Sequence, residues 1–247
     1  MQIVFAKNIE EFYERSAVCI AEAIRDKPNA KIGLSTGRTT RGVHAALVEE
    51  WKKSPFDCSR LRVFGIDEIT NMSRTCKASC YDILLHEVVE PLGIPEEHFI
   101  MPDPLAPDLE AECLRFEKLV MADGGPDFIF LGLGENGHLG FNQPGTPFGQ
   151  TAWLSWMDDS LDKRLRSENH IAEEVHMGGL TLGIKNLMQC PSLVMGANGK
   201  NKTEIVEKMV RGPVTEELPA SILQLHPDCK LILDPDAAEK LHMIKTT

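Results

Sequence analysis

Twelve consecutive residues, Gly134-Glu135-Asn136-Gly137-His138-Leu139-Gly140-Phe141-Asn142-Gln143-Pro144-Gly145, gather the side chains best suited to chemistry in this chain. They follow an apolar run, residues 128–133, of the kind that forms a buried strand. Four glycines leave little bulk, as in loops that bring backbone close to a small ligand. His138 is the one group in the loop that titrates near neutral pH, so it is the natural carrier of a proton. A lone histidine is more often a structural hydrogen-bonding residue. Here the glycines on both sides and the amides Asn136 and Asn142 favour a ligand-facing role.

Two other strand ends carry unusual chemistry. Ser35-Thr36-Gly37-Arg38-Thr39-Thr40 offers hydroxyls and a glycine just before a helix, which suits either an anion cradle or an ordinary Ser/Thr N-cap. It lacks the Gly-Lys-Ser/Thr ending of a Walker A loop, and no G-x-G-x-x-G occurs there. Asp67-Glu68 directly follows an apolar strand, where a carboxylate is either a general base or part of a solvated turn. Lys200 and Lys202 open a helix, a placement that opposes the helix dipole and suits a bound anion. Cys76 and Cys80 have no second ligand pair nearby, so no metal is expected.

The elements that must position these groups alternate. Strands are expected at residues 30–35, 61–66, 128–133, 192–195 and 230–233, and helices at 9–25, 41–51, 79–89, 108–121, 202–210 and 219–225. That order predicts a mostly parallel sheet covered by helices on both faces, which binds ligands at the carboxyl ends of its strands. No repeat, low-complexity segment or linker divides the chain, so residues 1–247 are expected to form one domain. Residues 160–173 are highly polar and suit either a mobile lid or an exposed helix.

The totals narrow the partners. At 247 residues and 43% hydrophobic, the chain can bury a sizeable core. A net charge of −11 argues against nucleic acid as the main partner, while a local phosphate site needs only a few donors. Seven cysteines, odd in number and widely spaced, suit buried thiols in a reducing compartment. The N-terminus lacks the apolar core of a signal peptide, and no apolar stretch approaches the ~20 residues of a membrane helix. A cytoplasmic, soluble protein is expected.

With these loops in this order, the chain resembles the glucosamine-6-phosphate deaminase/isomerase family. Four segments carry the resemblance: residues 35–40, Phe64-Gly65-Ile66-Asp67-Glu68, residues 131–145, and Leu218-Pro219-Ala220-Ser221-Ile222-Leu223-Gln224-Leu225-His226. The resemblance implies a Rossmann-like three-layer α/β/α sandwich shared with ribose-5-phosphate isomerase and 6-phosphogluconolactonase. It also implies conversion of a 2-amino-2-deoxyhexose 6-phosphate to a ketohexose 6-phosphate plus ammonia, with no redox cofactor. By the same resemblance Asp67 is the enolisation base, His138 the ring-opening acid/base, and Asn136 and Gln143 its companions. Ser35, Thr36, Gly37, Arg38, Thr39 and Lys202 match the phosphate site. A homo-oligomer is compatible with this reading.

Two departures from the family pattern stand out. Position 143 is usually Glu, and the neutral Gln143 can orient a protonated histidine but cannot hold its charge, so a weaker couple or another partner for His138 is expected. The phosphate loop usually has glycine where this chain has Arg38. An arginine that other members place after the catalytic loop is replaced in register by Leu161, so Arg38 is expected to supply the guanidinium. Position 136 is Asp or Asn among members. Some segments look closer to a galactosamine-6-phosphate branch, residues 79–93 among them, and others to the glucosamine branch. A sugar-phosphate lactonase and a non-catalytic sugar-phosphate sensor are the alternatives; the retained Asp67 and His138 favour the deaminase.

Overall fold

A computed structural model of the chain describes residues 1–157, 162–163, 165–167 and 171–242. The main sheet has seven strands: β1 (Gln2–Phe5), β2 (Lys31–Leu34), β3 (Arg62–Gly65), β5 (Phe99–Ile100), β6 (Phe128–Gly132), β9 (Leu193–Ala197) and β10 (Cys229–Leu233). Their order is β1-β10-β9-β6-β2-β3-β5, and every pairing is parallel. A second, antiparallel sheet of order β4-β8-β7 joins β4 (Asp67–Ile69), β8 (Gly178–Thr181) and β7 (Trp153–Trp156).

Alternation along the central strands builds the layers. Phe128 and Phe130 of β6 face one core with Phe12, Ile20 and Ile24 of α1 (Ile9–Asp26) and Val43 and Leu47 of α2 (Arg38–Lys53). Ile129 and Leu131 face the other core. There they meet Phe116 and Val120 of α4 (Leu109–Met121), Leu187 of α5 (Ile184–Met188) and Val206 and Met209 of α6 (Thr203–Arg211). Strands buried on both faces read as continuous apolar runs, and helices on both faces make the three-layer α/β/α arrangement expected from the sequence. Lys31 is the exception in its strand. Its buried ammonium donates to the carbonyls of Leu119, Val120 and Ala122, satisfying the end of α4.

Four expectations change. The helix expected at 41–51 starts at Arg38, so Arg38, Thr39 and Thr40 form its first turn rather than a loop. The helix expected at 79–89 is a short α3 (Cys80–Leu84) running into a π-helical turn, Leu85–Val89. Pro219–Leu225 is a 3-10 helix, because seven residues led by a proline close their bonds over three positions instead of four. Asp67-Glu68 is not a turn but the first two of the three residues of strand β4. Of the polar 160–173 segment, residues 162–163 and 165–167 are helical. Arg166 there donates to Asp162 at 2.6 Å. Leu161 lies outside the described residues. The helix α7 (Glu239–His242) ends the described chain.

Candidate active site

Parallel pairing puts the loops after β2, β3, β6 and β9 at one edge of the sheet. Ser35, Thr36, Gly37, Arg38, Thr39, Asp67, Asn136, His138, Gln143 and Lys202 lie on those loops or on the segments they run into.

Asp67 leaves β3 through Ile66, whose N–H donates to Leu34 O at 3.1 Å, and enters β4 opposite Thr181. It is buried. Burial pushes its carboxyl from the ordinary 3.8 to about 7, the neighbouring Glu68 adds to this, and a bond from the Cys80 thiol at 3.6 Å opposes it. A carboxyl poised there can give and take a proton near neutral pH. Glu68 is fully buried for another reason. It accepts from the Ser79 hydroxyl and from the N–H groups of Ile69, Cys80 and Tyr81, all at 2.8–2.9 Å, so it ties β4 to the start of α3. Burial raises its carboxyl while those donors work against the rise. The solvated-turn reading of this pair does not hold.

The 134–145 loop folds back over Asp67. Gly140 has φ +59, and a Cβ there would lie 3.0 Å from Asp67 Oδ2 and 2.8 Å from Thr181 Oγ1. Only glycine lets the loop backbone come that close to the carboxylate. Gly134 does the same for the histidine, since a Cβ there would meet the His138 ring at 2.4 Å. Phe141 N–H donates to Thr181 Oγ1 at 3.2 Å. Asn142 is fully buried and clamps the loop, donating to Leu139 O and Leu182 O and accepting from Trp153 Nε1. Its work is structural.

Asn136 sets the histidine. Its Oδ1 accepts the His138 N–H at 3.1 Å and faces His138 Nδ1 at 2.7 Å. An oxygen there requires Nδ1 to carry the proton, so the neutral ring has its lone pair on Nε2. Asn136 Nδ2 donates in turn to Gln143 Oε1 at 2.9 Å. Gln143 therefore reaches His138 through Asn136 rather than directly. Among the described residues, two buried polar atoms on these strand-end segments have no partner: Gln143 Nε2 and Asn198 Oδ1 beyond β9. Leaving such atoms unmade costs ~1–3 kcal/mol each, a debt a polar ligand can cancel.

The segment after β2 has three kinds of residue. Ser35 is buried and its Oγ accepts the Gly132 N–H at 2.9 Å, joining the ends of β2 and β6. Thr36 Oγ1 donates to Cys80 Sγ at 3.1 Å, completing a chain Thr36–Cys80–Asp67. Gly37, at φ +140, is the N-cap of α2, and no side chain caps that helix. The first intrahelical bond is Arg41 N–H to Gly37 O, so the amides of Arg38, Thr39 and Thr40 have no helical acceptor. The Ser/Thr N-cap reading is thus not what the segment does. An uncapped helix start of this kind favours an anion. Arg38 pairs with Glu135 at 2.5 Å, and Asn201 Nδ2 donates to the same Glu135 oxygen at 2.9 Å. Lys202 is buried in the 3-10 turn Lys200–Lys202 that leads into α6.

Thr181 and Asn201 carry parts of this geometry that the sequence did not flag, and Cys80 and Glu135 carry parts other than those the sequence suggested. Nothing local marks them, since each is defined by a partner at least 13 residues away. All seven cysteines are unpaired thiols, five of them buried. Burial pushes Cys58 up to about 11 and Cys190 to about 12, which keeps them protonated. Among the described residues, no group of three or more His, Cys, Asp or Glu could hold a metal ion, and no helix is long and apolar enough to cross a membrane.

Residues 6–231 match the model of the glucosamine-6-phosphate isomerases/6-phosphogluconolactonase family. A glucosamine-6-phosphate deaminase of Lachnoclostridium phytofermentans is 35% identical over 232 residues, covering 94% of this chain and 98% of the relative. Another from Thermoanaerobacter pseudethanolicus is 32% identical over 238 residues, covering 96% and 94%. Among solved structures, a monomeric glucosamine-6-phosphate deaminase superposes with a TM-score of 0.92 at 29% identity, covering 97% of this chain and 99% of that one. A 6-phosphogluconolactonase from Trypanosoma cruzi shares the fold, with a TM-score of 0.76 at 20% identity over 98% and 97% of the chains.

Proposed function

The chain belongs to the glucosamine-6-phosphate isomerase/6-phosphogluconolactonase family, and we propose that within it the protein is an amino-sugar-phosphate deaminase/isomerase. Its substrate is glucosamine 6-phosphate or galactosamine 6-phosphate, and its products are the ketohexose 6-phosphate and ammonia. It works in the cytoplasm as a single-domain enzyme. The observation that carries the reading is the approach of Gly140 to Asp67 Oδ2, which brings the histidine loop and a carboxyl poised near 7 onto one side of the same space.

In this reading His138 moves the proton of the C1 hydroxyl to the ring oxygen, and the sugar opens. Asn136 fixes the tautomer that makes Nε2 the acceptor. Gln143 Nε2 supplies a donor toward the sugar. Asp67 then takes the proton from C2 and returns it to C1, while the C1 carbonyl oxygen gains a proton and the amine loses one, turning the open amino-aldose into a C2 imine. Water adds to that imine, ammonia leaves, and the ketose remains. Holding one carboxylate close to two adjacent carbons is what lets a single base serve both transfers.

The phosphate end is held by the segment after β2 and by the turn after β9. The uncapped amides of Arg38 and Thr39, the hydroxyl of Ser35, that of Thr36 once it turns from Cys80, the open backbone at Gly37 and the ammonium of Lys202 supply donors. Arg38 adds a guanidinium that can take two phosphate oxygens. Purified protein assayed for ammonia and ketose phosphate from each hexosamine 6-phosphate tests the proposal. Hydrolysis of 6-phosphogluconolactone without ammonia release overturns it.

A further inference from the structure

An anion already sits among the groups assigned to the phosphate. Glu135 lies in the loop after β6, the strand between β9 and β2. One of its oxygens accepts from Arg38 of α2 at 2.5 Å and from Asn201, in the turn after β9, at 2.9 Å. One acceptor oxygen thus joins two donors from the two flanking segments, as a phosphate oxygen would. Asn201 precedes the buried Lys202, and Arg38 follows the open backbone of Gly37.

The pair is accessible, with 72% of the Arg38 side chain and 46% of the Glu135 side chain exposed. An ion pair that open to water is weak, and a better acceptor can displace it. A phosphate dianion is such an acceptor, because it offers Arg38 two oxygens in a fork that matches the guanidinium.

We propose that Glu135 is the internal competitor of the phosphate subsite: it holds Arg38 and Asn201 in the empty enzyme and yields them to an arriving phosphate dianion. The inference rests on the phosphosugar reading above. It explains how a solvent-facing arginine stays in place between turnovers. It also selects against ligands of low charge, which gain too little from Arg38 to displace a carboxylate. Because Asn136 follows Glu135 and holds both His138 and Gln143, release of Glu135 reaches the ring-opening group through one peptide unit.

Glu135→Gln tests this, since the amide keeps an acceptor oxygen for Arg38 and Asn201 but removes the charge. Inorganic phosphate, titrated calorimetrically into the full-length protein, binds about two- to fivefold more tightly to Glu135→Gln than to the parent, the range an exposed ion pair supplies. The KM for the hexosamine phosphate falls by a similar factor. Adding Arg38→Gln erases the gain. Equal or weaker phosphate binding by Glu135→Gln overturns the proposal and makes Glu135 a support for Arg38; absence of phosphate binding in both proteins overturns it too. Calorimetry needs no turnover, so the two readings fail separately. A parent that releases no ammonia, with a tighter-binding Glu135→Gln, sinks the deaminase and keeps the competitor. A parent that deaminates, with no gain in Glu135→Gln, does the reverse.

Discussion

Replacing Asp67 by Asn should make the protein more stable and nearly inactive. Asp67 is buried, and its carboxyl is pushed from the ordinary 3.8 to about 7. Below pH ~4 the group is protonated in both folded and unfolded chains and has no effect on stability. As pH rises from ~4 to ~7 the unfolded chain ionises and the folded one does not, so stability falls; above ~7 the loss is complete and constant. From 3.8 to about 7, at 1.36 kcal/mol per pH unit, the loss is about 4 kcal/mol. The asparagine must still bury an amide, which offsets about 1–3 kcal/mol of that gain. Urea unfolding of both proteins between pH 4 and 8.5 reads the difference, since other titrating groups are common to both. Asp67→Asn should exceed the parent by about 1–3 kcal/mol at pH 8.5, and the gap should fall through zero and reverse toward pH 4, where only the cost of the buried amide remains. Its kcat should drop by about 10²–10⁴-fold, the usual worth of a positioned base. A gap that does not change with pH, or a variant less stable at pH 8.5, would refute the reasoning.

Three further outcomes follow from the same geometry. Cys80→Ala removes the thiol donor that holds Asp67 down, so the acidic limb of the kcat/KM profile should move to higher pH, with Cys80→Ser restoring it; an unmoved limb contradicts the role given to the thiol. Gly140→Ala places a Cβ 3.0 Å from Asp67 Oδ2 at φ +59, and should lower kcat at least about tenfold and stability by about 1–2 kcal/mol in thermal unfolding. Gln143→Glu keeps the bond from Asn136 and adds a negative charge beside the Asn136–His138 pair, so the limb of the pH profile set by His138 should shift to higher pH.

Much of the main sheet is written locally in the chain. Strands β2, β3, β6, β9 and β10 are buried on both faces, so each is an apolar run that stands out between helical patterns. The loops leaving them, with His138 and Asp67, were legible for the same reason. The second sheet was not. Asp67-Glu68-Ile69 begins with two charges and reads as a turn, because the four donors that let Glu68 be buried come from Ile69 and from residues 79–81. Gly178-Gly179 does not look like a strand until the Phe141 ring is seen filling the space at Gly179. The segment after β2 was expected at a strand end and lies at one, but its local structure was not legible, since the cap of α2 is Gly37 rather than a hydroxyl. The position of Glu135 among Arg38 and Asn201 depends on which strands are neighbours, and strand order is a property of the whole fold.

The central claim is deamination, and product analysis tests it most directly. Glucosamine 6-phosphate, galactosamine 6-phosphate and 6-phosphogluconolactone are offered separately to the purified protein, and ammonia, ketohexose phosphate and acid release are followed. One ammonia for each ketohexose 6-phosphate from at least one of the two amino sugars, with no hydrolysis of the lactone above background, is the predicted result. Rapid lactone hydrolysis with no ammonia from either amino sugar would contradict the account.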